Sequence, residues 1–178
     1  MYNEVEQLVH TIVTGPHPSH PGACIEKHYY NSYVNHNNPG NEQSTVSSGL
    51  LSDISKAIIG EYQAIYCYDI LIQQTSNNKL KKQIFEIKND EIRHFQTFSQ
   101  IFTSLTNKQP IVQLTKKCPS NFKSGLVSAF IDEQETVDFY HEIARKTSNN
   151  YIKEQFQQAA FDEQNHAVWF LYFMNHTN

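Results

Sequence analysis

From Ser44 onward the chain carries apolar residues in alternating steps of four and three, sustained through four separate segments. The first stripe runs Ile54, Ile58, Glu61, Ile65, Tyr68, Ile72, and the second runs Leu80, Ile84, Ile87, Glu91, His94, Phe98, Ile101, Leu105. The third runs Leu126, Phe130, Glu133, Val137, Tyr140, Ala144, and the fourth runs Ile152, Phe156, Ala159, Glu163, His166, Phe170, Phe173. That spacing is the buried seam of a helix bundle. Nothing in these segments alternates with period two, so a strand reading fails. The segments predict four helices of roughly 25 to 30 residues, longer than the average globular helix and normal only in a bundle.

Six polar residues stand on the seam itself: Glu61, Glu91, His94, Glu133, Glu163 and His166. An ionised carboxylate in an apolar core costs several kcal/mol even after relaxation. No Lys or Arg lies on any stripe to compensate four of them. Two divalent cations would balance the four negative charges, leaving both histidines neutral. Carboxylate oxygens with one imidazole per metal suit iron, manganese or zinc. A Glu and a His three residues apart share one helix face and reach the same metal pair.

The pattern is written twice. Moving the first pair of segments forward by 72 positions sets Glu61 on Glu133, Tyr68 on Tyr140, and Asp90, Glu91 and His94 on Asp162, Glu163 and His166. No gap is needed. In a chain with 12 Glu and 9 His, chance yields about half a Glu-x-x-His match, so one alone is weak. Two in the same phase, each with the same flanking Asp and the same distance from an earlier Glu, point to two helix hairpins. A pseudo-twofold axis would relate them, with each supplying half of a dinuclear site.

The tight turns are expected at "TSNN", residues 75–78, and "KTSNN", residues 146–150. The long "TNKQPIVQLTKKCPSNFKSG", residues 106–125, links the hairpins. Residues 1–43 read as an irregular extension with one short helix from Asn3 to Val13, and residues 44–178 as the bundle. The extension holds His10, His17, His20, His28 and His36, which read as polar loop residues or as a further metal site.

A formal net charge of −4 with no basic cluster gives no footprint for nucleic acid or anionic membrane. The apolar runs are short and interrupted, and the first residues lack the layout of a signal peptide. Cys24, Cys67 and Cys118 are odd in number and scattered, which suggests neither a disulfide framework nor a zinc knuckle. A reducing cytoplasm is the expected location, with Cys67 a core residue or an inert thiol.

A Glu on one helix and Glu-x-x-His on the next, given twice, resembles the ferritin-like di-iron carboxylate proteins. "GEYQAIYCY" and "DEQETVDFY" look like the helix signatures of rubrerythrin-type domains within that group. The resemblance spans about residues 45 to 175 and implies an all-α, ferritin-like four-helix bundle with a long crossover after the second helix. It implies that Glu61 and Glu133 each bind one metal terminally, that Glu91 and Glu163 bridge, and that His94 and His166 each complete one shell. The cofactor implied is a pair of metal ions, iron first, with manganese and zinc as alternatives. The chain departs from rubrerythrins proper in two respects. It has no Cys-x-x-Cys, so the rubredoxin-like electron donor is not seen. The position of an extra ligand Glu is Thr136, while Glu135 should point away, leaving six ligands.

Asp90 and Asp162 read either as acceptors for the free imidazole N–H of the opposing half's histidine or as solvated helix residues. Tyr68 and Tyr140 read either as donors to a ligand carboxylate, or radical carriers, or as core aromatics with a satisfied hydroxyl. The expected activity is that of an oxidoreductase reacting with O2 or H2O2, ferroxidase- or peroxidase-like, in oxidative stress or iron handling, fed by an external electron donor. Non-catalytic iron sequestration and a structural bundle with a vestigial site are the other readings. Homodimers or larger homo-oligomers fit each of these.

Overall fold

The computed structural model describes residues 47–177, which form four helices: α1 (Ser48–Gln73), α2 (Asn78–Thr106), α3 (Phe122–Lys146) and α4 (Asn150–His176). The amino-terminal segment, with its five histidines, Cys24 and the short helix expected there, lies outside the described residues. Each helix begins where a small polar side chain takes up an amide that the first turn leaves free. Ser47 Oγ accepts from Leu50 N, and the Oδ1 atoms of Asn77, Asn121 and Asn149 accept from Leu80, Ser124 and Ile152 N. The two hairpin turns are the same tetrapeptide, Thr-Ser-Asn-Asn, placed 72 residues apart. In both, the Thr hydroxyl accepts from the amide of the capping Asn (Asn77 N to Thr75 Oγ1, 3.2 Å; Asn149 N to Thr147 Oγ1, 3.1 Å). The repeat therefore extends to the turns.

α1 packs on α2 and α3 on α4 within the hairpins, while α1 meets α3 and α2 meets α4 across them. The described chain is an all-α four-helix bundle. Its apolar core falls into two clusters. One centres on Ile54, Ile58, Phe98, Tyr140 and Phe156, the other on Leu71, Ile84, Leu126, Phe170 and Phe173. Matching aromatic pairs mark the two halves: Phe98 on Tyr140 with ring centroids 5.2 Å apart, and Phe170 on Tyr68 at 5.1 Å.

Residues 107–121 form the crossover. Fifteen extended residues reach about 50 Å, enough to return along α2, which is about 43 Å long. Asn107 ends α2 in the left-handed region (φ 54°), its amide donating to Thr103 O. The predicted link is too long at its far end, because Asn121 caps and helix α3 already starts at Phe122. The crossover straps α1 to α3. On α1, buried Gln63 accepts from Thr115 N (3.0 Å) and Lys116 N (3.1 Å) and donates to Lys116 O (3.0 Å). On α3, Asp132 accepts from Lys116 Nζ (2.8 Å).

Here the structure corrects the reading of the cysteines. Cys67 on α1 and Cys118 on the crossover form a disulfide, so Cys67 is neither a free thiol nor inert packing. The pairing follows from the crossover's path over α1, which residue spacing alone does not reveal.

Candidate metal centre

The four helices each bring one glutamate to the middle of the bundle, and α2 and α4 add a histidine one turn further on. Glu61, Glu91, Glu133 and Glu163 are at most 3% exposed, and His94 and His166 at most 5%. Their ligand atoms converge as two overlapping groups. Glu61, Glu91, His94 and Glu163 make one; Glu133, Glu163, His166 and Glu91 make the other.

The geometry repeats atom by atom. His94 Nδ1 lies 3.6 Å from Glu61 Oε1, 3.3 Å from Glu91 Oε2 and 3.0 Å from Glu163 Oε1. His166 Nδ1 lies 3.7 Å from Glu133 Oε2, 3.5 Å from Glu163 Oε2 and 3.1 Å from Glu91 Oε1. Glu91 and Glu163 thus give one oxygen to each group, whereas Glu61 and Glu133 serve one group each. Metal–ligand bonds of about 2.1 Å set neighbouring donors ~3.0 Å apart at right angles and ~3.4 Å apart in a tetrahedron. The three shortest separations, 3.0, 3.1 and 3.3 Å, fall in that range, and the other three exceed it by at most 0.3 Å.

Three of the donor atoms also lack a hydrogen bond: Glu91 Oε1, Glu163 Oε1 and His166 Nδ1, all buried. Close approach at angles unsuited to hydrogen bonding is the arrangement of atoms aimed at a common point. Buried polar atoms in this state cost about 1–3 kcal/mol each unless something else satisfies them. The residues present therefore fit a pair of metal ions.

The other ring nitrogens face outward. His94 Nε2 is 3.2 Å from Asp162 Oδ2 and His166 Nε2 is 3.2 Å from Asp90 Oδ2, each Asp coming from the opposite hairpin. These contacts leave Nδ1 of each ring to face the centre. Arg93 donates to both aspartates, to Asp90 Oδ1 at 2.6 Å and Asp162 Oδ2 at 3.1 Å. The tyrosines also cross over: Tyr68 donates to Glu133 Oε1 and Tyr140 to Glu61 Oε1. Glu133 and Glu61 are thereby each oriented by the other half of the molecule.

Electrostatics without metal agree with an under-neutralised cluster. Burial, then the neighbouring Glu163, pushes Glu61 and Glu133 well above the usual carboxylate range. Burial opposes charge on His94 and His166. The surrounding carboxylates, Asp162 foremost for His94 and Glu91 for His166, nevertheless hold both above the usual imidazole value. Protons then occupy the positions where cations would otherwise balance charge. Asp90 is held down at about 2 by its bond from His166 and by Arg93. Tyr68 and Tyr140 are raised well above the usual phenol value by burial and the adjacent carboxylates, so they stay protonated donors.

A cavity of about 510 Å³ runs between α1 and α3, under the crossover, to Glu61, Glu91, Glu133 and Glu163. Gly60 and Ala64 line its α1 wall, and Ala129 and Thr136 its α3 wall. Thr136 returns its hydroxyl to Asp132 O on its own helix (2.8 Å), and Glu135 is exposed. Neither belongs to the ligand groups.

Three contributors escaped sequence reasoning because each breaks the repeat. Gln63 has Glu135 as its counterpart, Arg93 has Asn165, and Cys67 has Phe139. The partly buried ion pair of Lys88 on α2 with Asp69 on α1 (2.8 Å) is likewise unrepeated.

A helix bundle with this layer of carboxylates and histidines defines a ferritin-like protein with a candidate dinuclear metal centre. The Rubrerythrin family matches residues 125–178, the α3–α4 half. The chain is 50% identical over 125 residues to "Uncharacterized protein YhjR" of Bacillus subtilis (strain 168), an alignment covering 70% of this chain and 86% of that one. A solved hypothetical protein from Pyrococcus furiosus superposes with a TM-score of 0.63, at 16% identity over 71% of this chain and 88% of the other, which speaks to the fold. The chain belongs to the rubrerythrin family of ferritin-like proteins.

Proposed function

We propose that the protein is a di-iron oxidoreductase that reacts with O2 or H2O2, as a ferroxidase or peroxide reductase, in oxidative defence or iron handling. The observation that carries this reading is the pair of four-donor groups sharing Glu91 and Glu163, with buried donor atoms that no protein group satisfies. Glu61 and His94 would hold one ion, Glu133 and His166 the other, and Glu91 and Glu163 both. A bound iron pair supplies two electrons to a dioxygen species.

The chain's own residues do the rest. Asp162 and Asp90 hold the imidazole rings in one tautomer, so that Nδ1 faces the centre. Tyr140 and Tyr68 fix the terminal carboxylates by hydrogen bonds that must lengthen if those carboxylates change denticity. Both phenols remain protonated and donate to those carboxylates, which holds the carboxylates in place. The apolar clusters above and below exclude bulk water, while the cavity admits a small oxidant to the carboxylates. A cytoplasmic location and an external electron donor belong to the same proposal. No helix among the described residues is long and apolar enough to cross a membrane.

Protein prepared without chelator and reconstituted with Fe²⁺ should hold two irons per chain. It should oxidise added Fe²⁺ in air or consume H2O2, followed by optical absorption. Fewer than one iron per chain refutes the dinuclear reading. Two irons that stay inert towards both oxidants identify a sequestering protein instead.

A further inference from the structure

The duplicated centre is symmetric, but the wall beside it is not. Cys67 lines the cavity that opens onto Glu61, Glu91, Glu133 and Glu163, and it stands six residues after Glu61 on α1, about 9 Å along the helix axis. Its partner Cys118 lies in the crossover stretch that covers the same cavity through Thr115, Lys116, Lys117 and Pro119. Both cysteines are partly exposed, so a reductant in solution reaches them.

The crossover has anchors besides the disulfide. Upstream of Cys118, Gln63 holds Thr115 and Lys116 by three hydrogen bonds. Downstream, Gln74 Nε2 donates to Pro119 O at 3.2 Å. These anchors flank Cys118 on both sides and are made without the sulfur atoms, as a pair that opens and closes repeatedly requires. The Gln63 amide nitrogen also lies 3.2 Å from Cys67 Sγ and 3.7 Å from Cys118 Sγ, placed to stabilise a thiolate by donation. A disulfide in a reducing compartment is normally transient and catalytic or redox-sensing.

We propose that Cys67 and Cys118 are a dithiol–disulfide couple that supplies two electrons to the peroxide reduced at the adjacent carboxylate–histidine centre. The inference rests on the peroxide-reductase form of the function proposed above. Two thiols and one H2O2 give one disulfide and two waters. The S–S bond forms and the O–O bond breaks. Two electrons pass from sulfur to oxygen, and both thiol protons end in water. The external donor required is then one that reduces a disulfide, a dithiol, in place of a rubredoxin-like iron domain.

The test uses the full chain, reduced with dithiothreitol, desalted without oxygen, and either loaded with Fe²⁺ or kept metal-free with chelator. Two equivalents of H2O2 are added, one for the iron pair and one for the dithiol, free thiols are alkylated, and the peptides are mapped by mass, which separates Cys24 from the pair. The expected result is loss of both Cys67 and Cys118 thiols to one crosslink in the iron-loaded protein. The same crosslink should lag in metal-free protein and in the Glu91→Gln, Glu163→Gln variant. Closure at the same rate without metal overturns the proposal, as does continued peroxide consumption by the iron-loaded protein while both thiols remain alkylatable. In the latter case a small-molecule reductant still sustains peroxide consumption, and only the role of the cysteines falls. A chain that binds no iron overturns both readings. Wild-type protein alkylated at both reduced cysteines repeats the consumption measurement without a substitution; undiminished dithiothreitol-driven turnover there also overturns the proposal.

Discussion

Replacing Glu91 and Glu163 together by Gln should lower the stability of the metal-free protein and abolish its response to metal. Both side chains are at most 2% exposed, and each gives oxygens to both ligand groups. Without metal, they are counter-charges of His94 and His166, whose rings the surrounding carboxylates hold above the usual imidazole value. Removing one side of a buried ion pair costs about 3–5 kcal/mol. For a bundle of this size 1 kcal/mol moves the melting temperature by about 4 °C, so the metal-free variant should melt about 12–20 °C below metal-free wild type. With metal the gap widens. At free metal a hundred times Kd, each site contributes about 2.7 kcal/mol, so two sites raise the wild type by about 20 °C. The variant, lacking both shared carboxylates, should not move. Thermal melts followed by circular dichroism, with chelator and then with Mn²⁺ to avoid oxidation, measure all four values. A variant as stable as wild type in chelator, or equally stabilised by Mn²⁺, would refute the assignment of Glu91 and Glu163 as shared ligands that balance the two histidines when metal is absent.

Asp162→Asn should weaken metal binding on the His94 side by about 10–100-fold and leave the other site near its original affinity, with Asp90→Asn doing the reverse on the His166 side; titration of metal-free protein with Mn²⁺ resolves the two. Gly60 faces the cavity, and a Cβ there meets no atom within 4 Å. Gly60→Leu should therefore stabilise α1 by up to about 1 kcal/mol while lowering kcat/KM for peroxide at unchanged metal content. In metal-free protein Glu61, Glu133, His94 and His166 all have folded values above their unfolded ones, and Glu163 is lowered. The stabilisation from the four raised groups is complete below their unfolded values and lost as pH rises, with Glu163 opposing. Metal uptake displaces protons and strengthens over the same range, so the melting gap between loaded and metal-free protein should widen from about pH 5 to about pH 8.

The helices and their inward faces could be read from the sequence because a period near 3.5 persists through each segment. The six clustered residues could be named because the same spacing occurs twice, and the structure brings their donor atoms together. What the Tyr and Asp residues touch was less accessible. Tyr68 reaching Glu133, and Asp162 reaching His94, depend on how one hairpin sits against the other, which no single helix encodes. The disulfide was invisible for a related reason: the path of the crossover, steered by Gln63, brings Cys118 to Cys67. Gln63 itself looks like one polar residue among many, and it becomes distinctive only when three backbone groups of a distant loop are found around it.

The bond between Cys67 and Cys118 closes a ring across 51 residues that contains the whole of α2. On chain-entropy grounds, a ring of that size removes about 4 kcal/mol of freedom from the unfolded state. The relation is reciprocal, because a fold stabilised by the bond must favour the bond by the same amount. Folding then makes the dithiol a stronger reductant than the same two cysteines on an open chain, by about 90 mV. The bundle thus shifts the potential of the pair simply by holding α1 and the crossover together.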